Sequence, residues 1–194
     1  MIAKGKAVSH GRNVINYVLK ENKLKEFVAR NMIIGYTANE ILRDMQLVGQ
    51  YSNRCKNKFL RFEIGIAPDD IAKLKSGDLY KIANSFAQKM GLENHQWIAV
   101  SHKDTKNLHI HLIANRIAID GKVYQTDFVS NRSARAAENI AREMGLTIAN
   151  QVVAKKKYRN PKADKTREIK KDEVRKIAYQ LLGEKVGTGK EGFL

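Results

Sequence analysis

Cysteine is almost missing from this chain: Cys55 is the only one in 194 residues. A lone thiol excludes an intramolecular disulfide framework and a zinc ribbon, so Cys55 reads as a small, partly buried side chain. No apolar run approaches the ~18 residues needed to cross a bilayer, and the opening MIAKGK lacks the apolar stretch of a signal peptide. A cytoplasmic protein without membrane insertion is expected. A Walker-type glycine loop is absent too, which argues against chemistry driven by nucleotide hydrolysis. Acidic residues are scarce, with 20 Asp and Glu against 36 Lys and Arg, a net charge of +16. Such an excess repels itself in a compact state, and a polyanion relieves the repulsion. Nucleic acid is the natural candidate.

What is present suits one compact domain, since 43% of the residues are hydrophobic. Residues 1–9 are weakly strand-like. Asn13 to Leu24 carries Val14, Ile15, Val18 and Leu19 at helical spacing, with Tyr17 among them. Thr37 and Glu40 form a capping box for a helix to about Gln50. Lys58 to Ala67 (KFLRFEIGIA) alternates as a strand does, and Pro68 ends it. A helix of roughly twenty residues is expected from Asp69 to Met90, broken near Gly77. Strands are expected at Gln96–Ser101 and Leu108–Ile119, the latter turning at Asp120-Gly121 into a short return through Val123 and Tyr124. Asn131 to Met144 reads as a helix stopped by Gly145. This order favours an α+β fold over a parallel doubly wound sheet. A domain boundary is expected near residue 150, followed over 151–194 by a basic extension. That extension should be helical over Glu173–Leu182 and should continue into a longer natural protein.

Three of the five histidines fall within ten residues: His102, His109 and His111. On a strand, residues i and i+2 share one face about 6.6 Å apart. His109 and His111 therefore present two imidazoles side by side, while Ile110 and Leu112 face the other way. If the strands before and after the turn pair, His102 completes a three-imidazole face with open positions, as a catalytic metal needs. Asp104 is close enough to orient one imidazole through its far ring nitrogen.

The stretch from His102 to Arg116 (HKDTKNLHIHLIANR) resembles the metal motif of relaxase and mobilization nucleases of the MobA/VirD2 type, within the HUH (His-hydrophobic-His) endonucleases. The family pattern is a His, an Asp two residues on, a His-x-His and an Asn-Arg pair, here Asn115-Arg116. Asn16-Tyr17-Val18-Leu19 resembles the tyrosine motif of these enzymes, and Asp120-Gly121-Lys122 resembles their hairpin. The resemblance covers roughly residues 1–145. It departs where relatives carry a serine-containing segment, since Phe62 to Pro68 (FEIGIAP) stands there instead.

The resemblance implies an HUH-type fold, a central antiparallel sheet flanked by helices. It also implies nicking and rejoining of single-stranded DNA at an origin of transfer through a 5′-phosphotyrosine, for conjugative mobilization of a plasmid or mobile element in a bacterium. Of the seven tyrosines, Tyr17 is the one it makes the nucleophile. His102, His109 and His111 would hold a divalent metal, Mg or Mn by family habit, with Zn or Ni also suited to imidazole. Asp104 and Glu63 are candidates for an outer partner or base. The expected phosphate contacts are His10, Arg12, Arg54, Lys56, Lys58, Arg61, Arg116, Arg132, Arg135 and Arg142. Accessory mobilization proteins and a coupling protein would be partners. The rival reading is a non-catalytic DNA-binding module whose histidines are structural or hold a structural metal.

Overall fold

A computed structural model of the chain describes residues 1–102, 108–149 and 151. The turn at 103–107, with Asp104, and the expected terminal helix lie outside the described residues. The chain divides after Ala149, and Met1–Ala149 forms one compact unit.

Among the described residues, five strands form one sheet in the order β1-β3-β5-β4-β2, every neighbouring pair antiparallel. They are β1 (Ile2–Val8), β2 (Leu24–Asn31), β3 (Phe59–Gly65), β4 (His95–His102) and β5 (His109–Ala118). The helices are α1 (Gly11–Val18), α2 (Ala38–Gly49), the single turn α3 (Pro68–Ile71), α4 (Asp78–Lys89) and α5 (Val129–Glu143). The fold is α+β, an antiparallel sheet flanked by helices, as expected.

Period-2 alternation divides the core between the two faces of the sheet. Leu60, Phe62, Ile64, Ile110 and Leu112 point to one face, where α4 and α5 cover them with Ile82, Phe86, Ala137 and Ile140. Phe62 and Phe86 are fully buried and meet edge to face at 5.4 Å. Each such side chain contributes about 1.5–3 kcal/mol by leaving water. Phe59, Ile98, Val100 and Ile113 point to the other face and pack under Ile15 and Val18 of α1 and Ile41 and Met45 of α2. Helix α1 lies very close to the sheet there: a Cβ on Gly11 would sit 2.2 Å from the Phe59 ring.

Two local expectations are corrected. The first helix stops at Val18 rather than Leu24, because the Lys20 carbonyl accepts from the amides of both Lys23 and Leu24 at 2.9 Å and turns the chain back. The chain then enters β2, an edge strand whose register shifts between Leu24 and Glu26 and again between Phe27 and Ala29. Two irregularities in eight residues erase the alternation by which a strand is recognised. The break expected near Gly77 (φ 84°) is present and divides this stretch into α3 and α4. The Asp120-Gly121 turn forms, with Gly121 at φ 81°, but its return is a single bridge between Ile117 and Val123. The capping box at Thr37 and Glu40 is present with both of its reciprocal bonds.

Asp70, fully buried, ties the end of the domain to its middle. Its carboxylate accepts from the Thr147 amide at 2.7 Å, the Thr147 hydroxyl at 2.9 Å and the Lys73 ammonium at 2.8 Å. Burial alone would raise this carboxyl, but those donors outweigh it and hold Asp70 below the ordinary carboxylate range. A depressed folded value adds stability above the unfolded value of about 3.9, and that stability is lost as pH falls through the folded one. Asp70→Ala should therefore cost about 3 kcal/mol in urea unfolding at pH 7, with the gap to the parent narrowing below about pH 4. An unchanged midpoint at pH 7 would remove Asp70 from the supports of the fold.

Candidate active site

The histidine face is built by strand pairing. In the β4–β5 register His102 lies directly opposite His109, and Val100 opposite His111. All three imidazoles therefore leave the same face of the sheet, at the end of the two strands where the described chain breaks off and resumes. Their ring centroids are 5.4 Å (His102–His109), 4.3 Å (His102–His111) and 4.9 Å (His109–His111) apart. His102 and His111 are 1% and 2% exposed, and His109 is half-buried.

One ring nitrogen from each histidine lies within 4.8 Å of the others. Nitrogens bound to one ion at about 2.1 Å stand roughly 3–3.5 Å apart, so small ring rotations close the difference. The donor set fits a divalent ion. His102 Nε2 stands 2.9 Å from the Val18 carbonyl oxygen, which can only accept. That bond assigns the proton to Nε2 and the lone pair to Nδ1, the arrangement that outer partners impose on ligating histidines. Sequence spacing offers Asp104 as the group that orients one of the imidazoles; for His102 that partner is the last carbonyl of α1.

The same contact bolts down the helix that carries Tyr17. Its ring lies 5.9 Å from that of His102 and 6.0 Å from that of His111, and it remains 38% exposed. Two cations attend it. Lys23 Nζ donates to Tyr17 Oη at 3.3 Å and lies 4.4 Å from the ring centroid, while the Arg61 guanidinium lies 5.1 Å from it.

Glu63 sits directly across from His111 on β3. Its carboxylate is engaged by Lys4 at 3.4 Å and Arg61 at 3.9 Å, outside the three-imidazole group. On the edge strand, Lys4 pairs with Glu63 and Lys6 with Arg61, so these lysines share the histidine face. Together with Arg61 they line an open cleft of about 440 Å³. Sequence reasoning misses Lys4, Lys6 and Lys23. The i, i+2 spacing of Lys4 and Lys6 is the available signal, but it becomes meaningful only once β1 is known to lie beside β3.

The other expected phosphate contacts are not brought to the trio. His10 is the exposed N-cap of α1, and Arg12 donates to Asn39 at 3.1 Å. Arg54 and Lys56 are exposed in the segment before β3, at the end remote from Glu63, and Lys58 donates to the Gly49 carbonyl at 2.7 Å. Arg116 bonds the Tyr124 carbonyl at 2.9 Å and reaches Asn57 and Thr126. Arg132 holds Tyr124 and the Gln125 carbonyl, and Arg142 pairs with Glu138 at 3.0 Å. Arg132, Arg135 and Arg142 all belong to α5, which covers the opposite face of the sheet.

Comparison with known families places the chain. Residues 17–146 match the model of the relaxase family, MobA/VirD2-like nuclease domain. The chain belongs to that family. The match starts at Tyr17 and spans all three histidines. Among solved structures, the MobM relaxase domain bound to a 26-nucleotide pMV158 oriT DNA is similar at 18% identity, covering 76% of this chain and 90% of that one with a TM-score of 0.49. No curated protein matches the chain.

The relaxase trio makes a direct prediction. His109→Ala should lower Mn(II) affinity in calorimetric titration by more than the ~10–100-fold typical of losing an outer partner. Its circular dichroism should match the parent, because His109 is the half-buried member. Parent-like Mn(II) binding would show that the imidazoles do not act as a ligand set.

Proposed function

We propose that this relaxase domain nicks one DNA strand at an origin of transfer and rejoins it through a phosphotyrosine on Tyr17, initiating conjugative mobilization of a plasmid or mobile element in the bacterial cytoplasm. The observation that carries the reading is the Tyr17 ring beside two of three convergent imidazoles, with two cations against it. Nicking without losing the bond energy requires transesterification rather than hydrolysis. Tyr17 Oη forms a bond to phosphorus as the bond from phosphorus to O3′ breaks, leaving a 5′-phosphotyrosine and a free 3′-hydroxyl. Reverse attack by a 3′-hydroxyl reseals the strand, so no nucleotide cofactor is consumed.

A divalent ion held by His102, His109 and His111 would supply Lewis-acid polarisation of a phosphate oxygen; Mg or Mn is the family's habit, and Zn or Ni also suits imidazole. The chain's own residues do the rest. The Val18 carbonyl fixes the His102 tautomer, and α1 holds the Tyr17 ring beside His102 and His111. Lys4, Lys6 and Arg61 offer phosphate contacts that lead a single strand across the sheet toward Tyr17. Residues 1–150 would form the nicking unit and 151–194 its basic extension. Single-stranded DNA is the substrate, with accessory mobilization proteins and a coupling protein as partners.

The test uses the full chain, Mn(II) and a random-sequence pool of single-stranded 40-mers. Parent protein should retain the downstream fragments after denaturation, and sequencing these together with the released upstream fragments defines the nick site. Tyr17→Phe keeps the ring, should bind the pool within about threefold of the parent, and should retain nothing covalently, since it has no group that attacks phosphorus. Adducts on Tyr17→Phe would move the nucleophile elsewhere. Cleavage without any adduct would make water the nucleophile. Binding with neither cleavage nor adduct would favour a non-catalytic DNA-binding module.

A further inference from the structure

The three histidines stand on β4 and β5, the second and third strands in from the β2 edge. The two cations against Tyr17 arrive from opposite sides of that pair. Lys23 immediately precedes Leu24, which pairs with His102 from the β2 side. Arg61 belongs to β3, two residues before the Glu63 that faces His111. The tyrosine ring is thus approached from both flanks of the histidine strands. Packing does not require this. The ring is 38% exposed, and a cation over an exposed ring is worth only about 0.5–1 kcal/mol. Arg61 also stands 3.9 Å from the Glu63 carboxylate.

We propose that Lys23 and Arg61 form a two-sided clamp that orients Tyr17 and receives the non-bridging oxygens of the phosphate it attacks. The inference rests on the relaxase reading of Tyr17. As the Oη–P bond forms and the P–O3′ bond breaks, the phenol gives up its proton and the departing O3′ gains one, so charge and electrons balance. Negative charge gathers on the non-bridging oxygens in between. Lys23 Nζ, already 3.3 Å from Oη, is within reach of an oxygen on the phosphorus that Oη joins. Arg61 offers a fork of donors to a second oxygen. Preorganised donors of this kind are worth ~10²–10³-fold in rate each.

The experiment uses a synthetic single strand carrying the nick-site sequence defined with the 40-mer pool, once as the ordinary phosphodiester and once with a methylphosphonate at the nick position, which removes the non-bridging charge. On the phosphodiester, Lys23→Met and Arg61→Met should each slow single-turnover adduct formation about 100-fold with affinity changed less than about threefold, and Lys23→Arg should restore most of the Lys23 loss. On the methylphosphonate, Lys23→Met and the parent should react within a few-fold of one another, because the charge that Lys23 serves is gone. An equal Lys23→Met defect on both strands would make the lysine a packing residue and overturn the proposal, as would parent-like rates on the phosphodiester. Lys23→Gln repeats the test if Lys23→Met fails to fold by thermal melt. Absence of any adduct from the parent would instead overturn the relaxase reading of Tyr17, and the clamp with it; an adduct from the parent with no charge-dependent defect overturns the clamp alone.

Discussion

Everything at the histidine face depends on the register between β4 and β5. A slip by one residue would turn His109 and His111 to the far side and bring Ile110 and Leu112 into their place. The register is held by burial on the opposite face, where Leu112 lies across from Ala99 and both are fully buried. At the other end of β5, Asn115 works as a pin. Its amide donates to the Met45 carbonyl at 2.8 Å and to the Gln96 side chain at 3.1 Å, and its oxygen accepts from the Ile117 amide. A buried amide satisfied on both sides tolerates no shift, because each lost partner leaves a polar group without water. The Asn of the family's Asn-Arg pair is therefore best understood through the histidines six and four residues before it.

The nucleophile candidate is coupled to the same register by one bond. Helix α1 is short, eight residues, and isolated helices of that length do not hold together in water. It persists because Ile15 and Val18 are buried, because Gly11 lets it lie against Phe59, and because His102 satisfies its last carbonyl. That bond both fixes the histidine's tautomer and caps the helix bearing Tyr17. A disturbance of His102 thus reaches Tyr17 directly, and the positions of imidazole and phenol are not independent variables.

These relations explain which parts of the fold are legible in the sequence. The alternation around His109 and His111, the Thr37 capping box and the β3 pattern are local signals, each expressed within a few residues. Strand β2 is invisible there because its two register shifts destroy the period that identifies a strand. The turn at Lys20 ends α1 through two backbone bonds that apolar spacing does not encode. Lys4, Lys6 and Lys23 escape notice because their place beside the site comes from pairing across strands. Lys4 is 59 positions from Glu63 and meets it only when the edge strand docks.

The arginines carry the same lesson in electrostatic form. A count of cations establishes that the surface is basic but says nothing about which cations have structural work. Arg116 and Arg132 point into the loop around Tyr124, where they donate to the Tyr124 and Gln125 carbonyls. Their charge still contributes to the long-range positive field of the molecule, since the Debye length at physiological salt is ~8 Å and much of the molecule falls within a few such lengths. On the histidine face the sheet itself sorts the cations: alternation along β1 and β3 sends Lys4, Lys6 and Arg61 to the same side as the imidazoles, while Ala3, Gly5 and Ala7 go to α5. Gly5 shows how strictly that division is kept, for a Cβ there would stand 2.7 Å from the Ser133 hydroxyl and 2.6 Å from the Phe62 ring. The edge strand can display lysines toward the site only because its other face is small enough for α5 to close over it.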